Sequence, residues 1–191
     1  MPEPRPEVSD FLLSRRSVPP KLLKRPAPDR TALMDLLTAA ARSPDHGKLE
    51  PWRFVVIGEK AMPRLAELAE IRALEAGLDA EATAKARSQY DAGICAVAVV
   101  ASPKASEKIP GIEQTLSAGA VCLALVNAAL AAGWGAGWLT GWASMDRGFV
   151  EEGLGLKPQE FVAGIIHIAT APGPVPERPR PDIPNLTTWL E

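Results

Sequence analysis

Cysteine and histidine are scarce in this chain, two of each in 191 residues. Cys95 and Cys122 sit in the apolar runs GICAVAVV and AVCLALV. Neither has a histidine or basic neighbour in sequence to favour a thiolate. Two buried free thiols, no catalytic cysteine and a reducing, cytoplasmic setting are the expectation. His46 and His167 lie 121 residues apart without cysteine support, which is no metal-ligand spacing, so no metal is expected. Charge of one sign is also lacking. A net charge of −2 gives no global field toward nucleic acid or an anionic membrane. The glycine-rich phosphate loops are missing too: neither G-x-G-x-x-G after a strand nor G-x-x-x-x-G-K-[ST] occurs. Any phosphate must be held by side chains. The N-terminal MPEPRPEVSD has no apolar core, which excludes a signal peptide, and its acidic residues disfavour a transit peptide.

Proline is plentiful. Of 19, seven fall within 1–28 and six within 172–184, so the ends (1–8 and 172–191) read as extended arms. Between them the pattern alternates. Helices are expected over 8–16, 29–42, 61–77, 82–92, 114–133 and 146–155, with strands over 52–58, 95–102, 135–142 and 160–171. In the second helix Asp29 is a plausible N-cap, Leu33, Leu36, Leu37 and Ala40 form one stripe, and Pro44 stops it. Residues 118–139 are apolar except for Asn127 and could span a bilayer by length. The GWGAGW stretch at 133–138 breaks that run, so a helix buried on every side, then a strand, is expected. Four strands separated by helices imply one α+β domain over 1–191, a mixed central sheet flanked by helices.

Four clusters could carry chemistry. SRRS, residues 14–17, places two guanidiniums and a hydroxyl at a helix end; this is either a helix C-cap or an anion site. ARSPDHGKLEPWRF, residues 41–54, crowds Arg42, Asp45, His46, Lys48 and Glu50 into one short connection. It is either a solvated turn or part of a site. GWGAGWLTGW, residues 133–142, combines three tryptophans with four glycines that let a second backbone or a flat ligand approach closely. PERPRPD, residues 176–182, carries Arg178 and Arg180 on the C-terminal arm. It is a solvated tail or a guanidinium returned to an anionic ligand. His167, alternating with Ile166 and Ile168, reads as a structural strand residue.

In this order, the RRS helix end, the RSPDHGKLEPWRFVVI loop and strand, the SAGAVCLALVNAALAAGWGAGWLTG unit and the Pro/Arg arm resemble the nitroreductase family of FMN enzymes. The likeness is nearest to its compact branch of NAD(P)H nitroreductases and covers nearly the whole chain. Specificity resides in the ordered set rather than in any one motif. The resemblance implies a three-layer α+β sandwich in an intertwined homodimer, with FMN at the subunit boundary and NAD(P)H as co-substrate. It implies that Arg15, Arg16 and Ser17 hold the ribityl phosphate and flavin edge. Arg42 and His46 reach the flavin bound mainly by the other subunit. Trp138, Leu139 and Thr140 line the isoalloxazine, and Arg178 or Arg180 adds a phosphate contact. Nitroaromatics, quinones or similar acceptors would take the electrons, with the chemistry carried by FMN rather than by a side-chain nucleophile. The alternatives are a non-catalytic dimeric flavin-binding protein and a flavin dehydrogenase or dehalogenase not using NAD(P)H. The broader family often carries Asn and Gln where this chain has Lys48 and Glu50, which leaves the local hydrogen bonding and acceptor preference open.

Overall fold

Asp29 starts the helix that the leucine stripe predicts. Its carboxylate accepts the Ala32 amide at 2.8 Å, a cap that contributes about 1 kcal/mol. Leu33, Leu36, Leu37 and Ala40 are all buried. In the computed structural model, which describes residues 3–91 and 93–190, the helices are α1 (Pro6–Ser14), α2 (Arg30–Ala40), α3 (Met62–Glu75), α4 (Ala80–Asp91), α5 (Gly111–Ala131), α6 (Trp142–Met145) and α7 (Arg147–Leu154). The strands are β1 (Trp52–Gly58), β2 (Cys95–Ala101), β3 (Gly135–Leu139) and β4 (Phe161–Ala169). Met1, Pro2 and Glu191 of the expected arms, and Ala92 of the expected fourth helix, lie outside the described residues. Helix α1 begins at Pro6, inside the expected N-terminal arm, because proline is well suited to the first helical turn.

The sheet order is β1-β2-β4-β3. Each neighbouring pair is antiparallel, so the expected mixed sheet is corrected to an antiparallel one. The connections explain why. A pair of packed helices, α3 and α4, joins β1 to β2 and returns the chain to the end where β1 finished. The single-helix crossover through α5 does make β2 and β3 run the same way, but β4 inserts between them.

Two cores sandwich this sheet. On one face α2 and α5 pack on Val97, Val99, Ile166 and Ile168. On the other, α3 and α7 pack on Ala96, Ala98, Val100 and Ile165 around Tyr90 and Phe149. All of β2 is buried. Its Cys95 and the α5 residue Cys122 are free thiols. Burial pushes the Cys122 thiol up to about 12 and raises Cys95 as well, so neither is nucleophilic at neutral pH. His167 is buried on β4, and burial pushes its imidazole down to about 4. Helix α5 departs from expectation. Val121, Cys122, Leu125, Val126 and Ala129 face the sheet. Leu116 and Leu123, however, are 65% and 48% exposed, so within one chain a single face is covered.

One buried carboxylate ties the ends of β1 and β4 together. Glu160 is 1% exposed. Arg53 donates to both of its oxygens, at 2.9 and 2.7 Å, and the Lys157 amide adds a third bond at 2.8 Å. The Arg53 guanidinium, more than any other partner, holds the Glu160 carboxyl down at about 2. A folded-state value below the unfolded one means stability that is present above the ordinary carboxylate range and lost as pH falls through it. Glu160→Gln should therefore cost about 3 kcal/mol near pH 7. The wild-type advantage should shrink from about pH 4.5 downward and vanish near pH 2. Urea denaturation of both proteins across that range checks it; a pH-independent gap would contradict it.

Candidate functional site

Helix α1 ends at Ser14, and the Arg15 amide closes it by donating to Phe11 O at 2.8 Å. Arg15 is therefore the C-cap residue through its backbone, and Arg16 lies beyond the helix. Next along the chain, the Val18 amide donates to Ala136 O of β3 at 2.8 Å. That approach requires glycine. A Cβ at Gly137 would stand 2.5 Å from Val18 O, and one at Gly135 2.7 Å from the Leu23 side chain. Of the two roles open to the glycine-rich strand, closeness to a second backbone accounts for Gly137, while Gly135 makes room for the Leu23 side chain.

This anchoring presents a cationic cluster. Arg15 Nη2 donates to Ser17 Oγ at 2.9 Å. The C-terminal arm returns and places Glu177 between two cations, 3.6 Å from Arg16 Nη1 and 2.8 Å from Arg180 Nη2. Burial, then Arg180 and Arg16, lowers the Arg15 guanidinium from its ordinary value. The Nε atoms of Arg15 and Arg16 are buried without a hydrogen-bond partner. Buried donors left unpaired are costly. Three guanidiniums against one carboxylate leave a surplus of two positive charges. Arg180, not Arg178, joins the cluster; among the described residues the Arg178 side chain forms no ion pair.

The second charged stretch is a tight loop between α2 and β1. The Asp45 carboxylate accepts the amides of Leu49 and Glu50 at 3.2 and 2.8 Å. Gly47, Lys48 and Glu50 all take positive φ, at 72°, 53° and 48°. The loop is pinned to α5. Ser117 Oγ donates to Pro44 O at 2.7 Å and accepts from Trp52 Nε1 at 3.2 Å. His46 Nδ1 lies 2.6 Å from Glu113 Oε2. Ser117 and Glu113 went unnoticed in the sequence. The available signal was polar side chains in the first turns of an otherwise apolar helix.

An apolar groove of about 610 Å³ runs between α5 and the β3–β4 edge, lined by Leu116, Leu123, Trp138, Thr140, Met145 and Phe161. Trp138 covers Gly164, where a Cβ would come 2.1 Å from the indole Nε1. The strand pleat separates the expected trio. Trp138 and Thr140 line the groove, while Leu139 is half-buried and outside its lining. The other two tryptophans of the cluster are structural, Trp134 against the α2–α5 core and Trp142 against the opposite one. Leu116 and Ala120 also line the hollow beside His46, and Ala120 and Leu123 the hollow beside Arg42. The outer face of α5 is thus flanked by the groove on one side and by Arg42 and His46 on the other. Among the described residues no hydrogen bond or ion pair joins Arg42 or His46 to the arginine cluster. A larger cavity, about 700 Å³, opens between α2 and the β1 edge beside Leu33, Met34 and Val56. It contains none of the expected site residues.

Residues 12–170 match the profile of the nitroreductase family. The chain belongs to the nitroreductase family. A relative from Escherichia coli strain K12, named "Putative NAD(P)H nitroreductase YdjA", is 34% identical over 164 residues, 86% of this chain and 88% of the relative. A Haemophilus influenzae relative named "Putative NAD(P)H nitroreductase" is 34% identical over 155 residues, 78% of this chain and 82% of its own. Among solved structures, a nitroreductase-like family protein from Bacillus cereus superposes with a TM-score of 0.81 at 21% identity, covering 96% of both chains. A Bacteroides fragilis nitroreductase with bound FMN gives 0.73 at 18% identity, covering 97% of this chain and 99% of that one. These structures establish the nitroreductase-like fold.

In this nitroreductase-family chain the arginine cluster depends on the contact between Gly137 and Val18. Gly137→Ala should force the 17–20 backbone away and destabilise the protein by about 1–3 kcal/mol. Gly58→Ala, where a Cβ meets nothing within 4 Å, is the control. Equal urea midpoints for the two variants would contradict this account of β3.

Proposed function

We propose that this nitroreductase-family chain is an FMN-dependent oxidoreductase. It passes hydride from NAD(P)H, by way of the flavin, to nitroaromatic, quinone or similar acceptors, and it works as a homodimer in the cytoplasm. The observation that carries this reading is the pair of buried, unpartnered guanidinium nitrogens on Arg15 and Arg16, with Arg180 beside them. A phosphate monoester carries about −1.5 to −2 charge at neutral pH. The cluster's surplus of two positive charges fits it, and guanidinium forks match its oxygens.

Arg15, Arg16, Ser17 and Arg180 would hold the phosphate. Trp138 and Thr140, with Leu139 between them on β3, would offer surface to the ring. FMN held there would supply hydride-transfer chemistry between a nicotinamide and the acceptor. The chain's own tasks are to neutralise the phosphate, orient the ring and exclude water from an apolar slot. No side-chain nucleophile is required. Arg42 and His46 would serve the flavin of the second subunit, since within one chain α5 stands between them and the groove. The same two-fold arrangement would cover the exposed Leu116 and Leu123 of α5.

A flavin absorption spectrum of freshly purified protein tests the cofactor, and steady-state oxidation of NADH and NADPH with menadione tests the reaction. Arg16→Ala should weaken FMN binding about tenfold to a hundredfold, the size of a lost charge-assisted hydrogen bond. It should leave riboflavin, which lacks the phosphate, nearly unaffected. Equal losses for both ligands would mean that the arginine acts only on the fold.

The cross-subunit assignment has its own test. One chain carries Arg42→Ala and His46→Ala, the other Arg15→Ala and Arg16→Ala. Each homodimer then has two damaged sites. A mixed dimer has one site with every lesion and one with none, so flavin content should recover to about half of wild type by the symmetry of a two-fold interface. Doubly tagged heterodimer that stays empty would rule out the role assigned to Arg42 and His46.

A further inference from the structure

The arginine cluster is not waiting with bare charges. Glu177 already sits on it, with its carboxylate against Arg16 at 3.6 Å and Arg180 at 2.8 Å. A carboxylate presents the same charge-bearing oxygens to a guanidinium as a phosphate does. We propose that Glu177 is a resident counter-anion of the Arg15–Arg16–Arg180 site, which a phosphate-bearing ligand must displace, so that this residue sets how tightly the site holds its anion. This rests on the reading of the cluster as a phosphate site, and goes beyond it by giving the acidic residue of the arm a function.

Three observations support displacement over a fixed strut. First, the Glu177 side chain is 60% exposed while that of Arg16 is 20% exposed; the anion lies at the rim, over a more enclosed cation. Second, both buried Nε atoms remain unpartnered with Glu177 in place, so the carboxylate satisfies the cluster only in part. A ligand with three acceptor oxygens and up to two charges can do what one carboxylate does not. Third, Glu177 belongs to an arm interrupted by Pro176, Pro179 and Pro181 that is irregular over 172–182. Moving its carboxylate off the site breaks no helix or strand. The Arg178 amide, followed by Arg180 and Arg16, holds the Glu177 carboxyl below its ordinary range. The competitor is therefore ionised throughout the neutral range.

Displacement gives the residue two effects. With no ligand, the carboxylate offsets the mutual repulsion of Arg15, Arg16 and Arg180 and keeps Arg180 near the other two. During binding it competes. A singly charged ligand would merely replace one carboxylate by another anion of equal charge. A dianion gains more than the exchange gives up. The cost of displacing the carboxylate is common to both, so the resident group lowers the affinity for each while the site keeps its preference for the dianion.

The test compares wild type with Glu177→Gln, which keeps the side chain's size but removes its charge and exchanges one acceptor oxygen for an NH2 donor. Inorganic phosphate, FMN and riboflavin are titrated against both proteins, with flavin removed beforehand, and binding is followed by calorimetry. In the variant, FMN and phosphate should bind about two- to fivefold more tightly, on the scale of an exposed ion pair that no longer has to be broken. Riboflavin should be unchanged, and the gain should fade at high salt as screening removes it. Acetate, a monoanion that must displace the same carboxylate, should gain by a similar factor. Unchanged or weaker FMN and phosphate binding in Glu177→Gln would overturn the proposal and make the residue a positioning strut for Arg180. The phosphate reading fails separately, if wild type binds FMN and riboflavin alike and takes no phosphate; that outcome overturns the displacement as well.

Discussion

Much of this molecule depends on how the first turns of α5 are held. Its inner face fills the space above β2, β3 and β4 with Val121, Cys122, Leu125 and Val126. That packing fixes the helix in position. Its few polar side chains then organise the surrounding loops. Gln114 accepts the Lys104 amide at 2.8 Å and donates to Lys104 O at 3.0 Å, holding the connection from β2. Ser117 bridges Pro44 and Trp52, and Glu113 takes His46. A hydroxyl that both donates and accepts has its one hydrogen committed, so the loop bearing Arg42 and His46 is registered against the helix. The outer face of the same helix remains apolar and uncovered.

The arginine cluster is built by a different device. No residue of α1 is buried, and Val8, Leu12 and Leu13 stand exposed along it. Packing of that helix cannot be what aims Arg15 and Arg16. The strand-like contact of Val18 with Ala136 does so, together with the Lys24–Thr170 bridge farther along. A cation pair thus borrows its rigidity from β3, two residues from the tryptophan that lines the groove. The phosphate-binding and ring-facing parts of the proposed site are connected through one five-residue strand.

Where periodicity decides, the sequence was a reliable guide. The Leu33–Leu36–Leu37–Ala40 stripe and the Asp29 cap are realised as read, and β1 occupies the expected 52–58. Where a decision depends on partners distant in the chain, local pattern could not supply it. Strand direction turned on the helical pair α3–α4 and on β4 inserting between β2 and β3. The two arginines of the arm, Arg178 and Arg180, are equivalent in sequence, and only the path of the chain sets Arg180 beside Arg15. The trio 138–140 was read as one surface, although a strand sends alternate side chains to opposite faces; Leu139 follows that rule. Burial on every side of α5 was inferred from composition, which reports that a face is apolar but not what covers it.

The clasp in the loop between α2 and β1 has a mechanical meaning. Lys48 and Glu50 adopt left-handed backbone, a conformation that costs an ordinary L-residue about 1–2 kcal/mol. Asparagine, which the broader family often carries at the first of these positions, tolerates it better. This chain has lysine there instead, and a single carboxylate, that of Asp45, gathers the Leu49 and Glu50 amides against the tendency to spring open. The segment is in effect a loaded latch. Its opening is set by Asp45 and by the ties of Pro44 and His46 to α5 rather than by the stability of the whole fold. Amide exchange at Leu49 and Glu50 would therefore report on this latch, while strand β1, a few residues away and paired along its length with β2, stayed closed.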